Sequence, residues 1–121
     1  MKGIGVDAVD VPRFRTALER TPSMRTRLFT ADEIALADER GGDAATLAAR
    51  FAVREATMKA LGVGLGAFDF HDVSVRRDAS GAPLMVVAGR AAELAAERGI
   101  NAWHLSLSHT DSVAIAVVAA L

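Results

Sequence analysis

The sequence predicts a single α+β domain over residues 1–121, with helices gathered in the first half and an antiparallel sheet in the second. Three observations carry that expectation. Apolar residues recur at helical spacing between Asp10 and Leu61, the repeat shortens to two from Asp72 onward, and glycine or proline marks the changeovers. A chain of 121 residues has room for one core.

Taken in order, Ile4-Gly5-Val6-Asp7-Ala8-Val9 reads as a short strand ending near an acid. Asp10 caps a helix that tolerates Pro12 in its first turn, where a missing N–H costs little, and Thr21-Pro22 stops it. Thr30 opens a second helix through Ile34 to Asp38, with Glu33 at capping-box spacing. After Gly41-Gly42, the longest helix starts at Asp43 or Thr46 and ends near Leu61-Gly62. Ala48, Ala49, Ala52, Ala56 and Ala60 share one broad side of it, a stripe that lets a neighbouring backbone approach closely. Strands follow at Asp72–Arg76 and Leu84–Val87 around the turn Ser80-Gly81-Ala82-Pro83. Arg90–Arg98 is helical up to Gly99, Trp103–His109 alternates as a strand, and Val113–Ala120 reads as a buried strand.

The composition is that of an ordinary globular protein, 51% hydrophobic and 24% charged. A net charge of -1 gives no support for general nucleic-acid binding. No apolar run is long enough for a bilayer, and no apolar segment follows Lys2 as a secretory signal needs, so a cytoplasmic location is expected. Without cysteine there are neither disulfides nor thiolate metal sites. Charge is unevenly placed, however. Arg13, Arg15, Arg20, Arg25 and Arg27 face only Asp10 and Glu19 between Asp10 and Thr30, which suits either an acidic partner or a solvated face. A chain this short buries only about two-thirds of its unfolded surface, so assembly with copies of itself would help its stability.

Several residues have the chemistry of a site. Asp7, after a small apolar run, needs a cation or a cap if its strand end is partly buried. Glu55 and Lys59 border the alanine stripe one turn apart, either as a surface ion pair or as part of a site. Asp7 and Glu55 together suit magnesium, which takes one or two protein carboxylates beside water and phosphate oxygens. Gly62-Val63-Gly64-Leu65-Gly66 is a helix stop that could also bring N–H groups to a phosphate, although it is no P-loop. Ser106, Ser108 and Thr110 share one strand face while His109 points the other way, which disfavours a serine-hydrolase triad and suits phosphate binding. His104 reads as structural and His71 as a loop residue.

Four pieces in register carry a resemblance: Gly3-Ile4-Gly5-Val6-Asp7 with Arg13-Phe14; Phe29-Thr30 with Glu33; Ala49-Arg50-Phe51-Ala52-Val53-Arg54-Glu55-Ala56 with Lys59-Ala60-Leu61-Gly62; and His104-Leu105-Ser106-Leu107-Ser108-His109. Across nearly the whole chain the sequence resembles the holo-[acyl-carrier-protein] synthases, the small bacterial phosphopantetheinyl transferases. The resemblance implies a 4′-phosphopantetheinyl transferase-like fold, a homotrimer with coenzyme A between subunits, and transfer of phosphopantetheine to a serine of an acidic acyl carrier protein. It also implies Asp7 and Glu55 as magnesium ligands, Lys59 at the pyrophosphate, and Arg50, Gly62, Ser108, His109 and Thr110 around coenzyme A. Arg13 and Arg20 fall on the helix that would receive the carrier protein. Glu55 is the first choice of general base, with Asp32 and Glu33 as outside candidates. Two positions depart from the family pattern: Arg54 stands where lysine is usual, and Val63 where threonine is frequent. A metal-dependent phosphohydrolase and a non-catalytic coenzyme A-binding module are the competing readings.

Overall fold

A computed structural model describes residues 1–121. Strand β1 (Gly3–Asp10) leads into α1 (Val11–Arg20), α2 (Met24–Leu28), α3 (Ala31–Glu39) and the long α4 (Ala44–Leu61). A single 3-10 turn (Phe70–Asp72) precedes β2 (Val73–Arg77) and β3 (Pro83–Val87), followed by α5 (Gly89–Glu97), β4 (Trp103–His109) and β5 (Val113–Ala120). The α+β expectation holds, with one refinement of the sheet. The first strand joins the last two in an antiparallel sheet of order β1-β5-β4, whereas β2 and β3 form a separate hairpin.

The caps are those the sequence announces. Asp10 accepts a hydrogen bond from the Arg13 N–H, Thr30 and Glu33 close a capping box, and Asp43 accepts from the Ala45 N–H. Helix α4 ends at Gly62, whose φ of 71° is the left-handed conformation that glycine adopts without a Cβ penalty. Short α2 carries no side-chain cap and five residues show no full helical period, which is why the sequence does not announce it.

Helix α4 lies across the inner face of the three-stranded sheet. Ala48, Ala49, Ala52 and Ala56 are fully buried there, and the alanine stripe does what its small side chains allow. A Cβ added at Gly5 would land on the Ala56 carbonyl, and one at Gly3 on the Ala60 carbonyl, so β1 and α4 touch backbone to backbone. That contact fixes the depth of Asp7, the next inward-facing residue of β1. A second cluster of Val11, Phe14, Leu28, Phe29 and Leu47 seats α1–α3 on α4, with the Phe14 and Phe29 rings edge to face at 6.1 Å.

Strand β5 is not buried throughout. Ala114, Ala116, Val118 and Ala120 face α4, while Val113, Ile115 and Val117 lie on the open side, each 37–43% exposed. An unbroken apolar run hides which face is covered, because both faces of such a strand look alike in sequence. Ile4 and Val6 of β1 extend the same open apolar face.

Candidate active site

Two clefts bring candidate residues together. In the first, of about 370 Å³, Asp7 and Glu55 meet beside Arg13, Phe14 and Phe51. Asp7 comes from β1, held against α4 by the glycine–alanine contact. Phe51, Glu55 and Lys59 lie at successive i, i+4 positions of α4, the line left uncovered when the rest of the helix is enclosed. Lys59 makes no ion pair with Glu55. Its Nζ reaches instead to Asp7 Oδ1 at 3.1 Å and to the Val6 carbonyl at 2.9 Å. The surface-pair reading of that spacing is thereby set aside.

Glu55 is left with a neighbouring carboxylate and little to balance it. Partial burial pushes its pKa above the usual glutamate value, the charge of Asp7 pushes it further, and Lys59 pulls back. A pair of acids whose mutual repulsion is felt in this way suits a divalent cation. The donor set, two hard carboxylate oxygens with room for water and phosphate, fits magnesium.

The second cleft, of about 300 Å³, is basic. Arg50 of α4 lies at its base, with Ser108 and His109 at the end of β4, Arg40 just beyond α3, Arg77 at the end of β2, and Gly81 and Pro83 of the hairpin. Arg50 is 3% exposed, donates through one terminal nitrogen to the Thr46 carbonyl at 3.1 Å, and keeps a buried Nε–H without a partner. Burial pulls its pKa below the usual arginine value, with Arg54 acting the same way and Glu33 opposing. Arg40 and Arg77 carry no distinguishing signal in the sequence, since isolated arginines at element ends look like any solvated charge.

The remaining residues divide as follows. Thr110 lies outside the basic cleft; its hydroxyl accepts the Ser112 and Val113 N–H groups and closes the β4–β5 turn. Gly62 supplies the end of α4, one turn beyond Lys59. Arg13 and Arg20 share a shallow groove along α1 that Arg13 joins to the acidic cleft. Asp32 opens onto a different depression with Glu39 and Arg76, away from Asp7. Glu33 is fully buried and bonded to Arg54 through both carboxylate oxygens, at 2.6 and 3.0 Å, so it has no oxygen to offer a substrate. Arg54, the departure from the family lysine, accordingly belongs to the core. Five residues along α4 turn the direction by about 140°, which is why Arg50 and Glu55 open into separate clefts of one chain.

With that geometry in place, comparison with known proteins defines the class. The sequence profile of the 4'-phosphopantetheinyl transferase superfamily matches residues 3–118, and the chain belongs to that family. Within it, the chain is 46% identical over 118 residues to a holo-[acyl-carrier-protein] synthase of Streptomyces avermitilis, covering 98% of this chain and 95% of that protein. It is 48% identical over 119 residues to the enzyme of the same name from Frankia casuarinae, covering 98% and 95%. The crystal structure of holo-[acyl-carrier-protein] synthase from Neisseria meningitidis superposes with a TM-score of 0.88 at 30% identity, covering 100% of this chain and 98% of that one. The Helicobacter pylori enzyme in complex with coenzyme A superposes at 0.84 and 30% identity, covering 98% and 99%.

Proposed function

We propose that this chain transfers the 4′-phosphopantetheine group of coenzyme A to a serine of apo acyl carrier protein, releasing 3′,5′-ADP. Its family membership and its likeness to holo-[acyl-carrier-protein] synthases along their whole length support the reaction. The observation that carries the site is the meeting of Asp7 and Glu55 in one cleft with Lys59 alongside.

In this reading the serine oxygen attacks the β-phosphorus of coenzyme A, and the bond from that phosphorus to the bridging oxygen breaks. Glu55, the partly open carboxylate of the acidic cleft, takes the serine proton. Asp7 and Glu55 hold magnesium, which when bound supplies positive charge to the diphosphate oxygens. Lys59, a compact charge 55% exposed at its side chain, exchanges Asp7 for the pyrophosphate. Arg50, Ser108 and His109, together with Arg40 and Arg77, grip the adenosine phosphates in the basic cleft, and Gly62 and Thr110 border the bound coenzyme A. Arg13 and Arg20 receive an acidic carrier protein and lead its serine to Glu55.

In this reading coenzyme A lies between neighbouring subunits of a homotrimer, as the family resemblance implies, and the separation of the acidic and basic clefts within one chain supports that arrangement. The open apolar face of Ile4, Val6, Val113, Ile115 and Val117 supports such self-association, being too apolar to be an ordinary solvent surface. We place the reaction in the cytoplasm; no helix is long and apolar enough to cross a membrane. Intact-mass analysis of apo carrier protein incubated with the chain, coenzyme A and Mg²⁺ tests the reaction. One added phosphopantetheine group is expected. Cleavage of coenzyme A with an unmodified carrier would point to a phosphohydrolase instead.

A further inference from the structure

The arginines of the basic cleft arrive from three elements that share no covalent neighbourhood. Arg40 follows the last turn of α3, Arg50 lies in α4, and Arg77 ends β2. None of the three has a carboxylate ion-pair partner, so their positions depend on how firmly α3, α4 and β2 are held together. One side chain touches all three elements. Glu33 Oε1 accepts from the Thr30 N–H at 3.0 Å and from an Arg54 terminal nitrogen at 2.6 Å. Its Oε2 accepts from the other Arg54 terminal nitrogen at 3.0 Å and from the Val75 N–H at 3.1 Å. Val75 lies on the edge of β2 two residues before Arg77, and Arg54 lies one turn after Arg50, whose carbonyl it also bonds at 3.2 Å. Arg54 Nε reaches the Phe70 carbonyl at 2.8 Å, and its guanidinium lies 5.1 Å from the Phe29 ring centre, so it has no freedom to turn away.

We propose that Glu33, with Arg54 as its partner, is a positioning residue for the arginine cleft: it clamps α3, α4 and β2 together and so sets the spacing at which Arg40, Arg50 and Arg77 meet a phosphate monoester. The inference rests on the reading of that cleft as the coenzyme A phosphate site. Glu33 also places one negative charge beside two buried guanidiniums, which offsets part of the lowering that burial imposes on Arg50. A pair that served stability alone would be replaceable by uncharged residues of similar size without altering ligand choice, since buried ion pairs are often exchangeable in that way.

The test compares coenzyme A with dephospho-coenzyme A as substrates for the intact enzyme, in the wild type, Arg50→Ala, Arg54→Lys and the double variant Glu33→Gln/Arg54→Met. The double variant removes both charges at once and retains an acceptor for the Val75 N–H. The wild type and the double variant are expected to differ by about tenfold or more in their preference for coenzyme A, the size of a lost charged hydrogen bond. The change should lie in KM for coenzyme A, with kcat and the KM for carrier protein little altered. Arg54→Lys keeps the charge with fewer donors and should shift the same preference in the same direction by less; it provides the reading if the double variant does not fold. Loss of preference in Arg50→Ala but wild-type preference and KM in the folded Glu33–Arg54 variants overturns the clamp while leaving the cleft assignment standing. A wild type and Arg50→Ala that both treat the two substrates alike overturn the cleft assignment itself, and the clamp with it.

Discussion

Arg54 and Glu55 are adjacent in sequence and serve opposite regions of the molecule. Arg54 turns into the core, where Glu33 accepts five hydrogen bonds and both charges are shielded from water. Glu55 turns into a partly open cleft, where its nearest charged neighbours are another carboxylate and a lysine already engaged by that carboxylate. Two glutamates therefore have opposite fates. A carboxylate with every lone pair satisfied holds elements together and offers nothing to a ligand. One that is half-buried and repelled by its neighbour is costly to the fold, and under the proposed reaction a cation and a diphosphate would relieve that cost.

The largest effect is expected at the buried pair. Glu33→Gln should lower folding stability by about 3–5 kcal/mol, because Arg54 is left as an uncompensated buried charge; chemical denaturation with an unchanged m-value checks it. Next in size, Glu55→Gln should reduce phosphopantetheine transfer about a hundredfold or more while leaving the fold intact, measured by carrier-protein mass at saturating coenzyme A. A smaller effect is expected at the entrance shared by the two grooves. Arg13→Glu should raise KM for carrier protein about tenfold, the result of replacing an attractive charge by a repulsive one, with little change in KM for coenzyme A. The smallest effect sharpens the contrast from the other side. The folded pKa of Glu55 lies above its unfolded value, so its ionisation opposes folding, and stability is lost as pH rises from near 4.5 through the folded pKa. Metal-free Glu55→Gln should therefore melt above the wild type at neutral pH, with the difference vanishing below pH 4.5.

Much of this arrangement is legible in the residues. The caps at Asp10, Thr30 and Asp43, the strand order of polar and apolar residues in Trp103–His109, and the alanine stripe of α4 are local signals, and the fold obeys them. The nearness of Asp7 to Glu55 is legible only in part. Gly3 and Gly5 facing Ala60 and Ala56 is a matched pair of small-residue patterns 50 or so residues apart, and each pattern alone says merely that something comes close. Glu33 misleads for a physical reason: a capping-box glutamate is normally exposed, and nothing in Thr30-Ala31-Asp32-Glu33 reveals that Arg54 and Val75 converge on it. Arg40 and Arg77 are invisible for the same reason, because the hairpin that brings Arg77 to Arg50 packs by long-range contact.

Under the proposed function, Asp7 and Glu55 share one divalent cation beside the diphosphate of coenzyme A. Soaking crystals with coenzyme A and Mn²⁺, as an anomalous substitute for magnesium, and mapping the scattering gives the direct answer. A single peak is expected at about 2.0–2.3 Å from an oxygen of each carboxylate, with Lys59 moved from Asp7 onto a phosphate. A peak bound by neither acid, with Lys59 still on Asp7 in the occupied site, would contradict it.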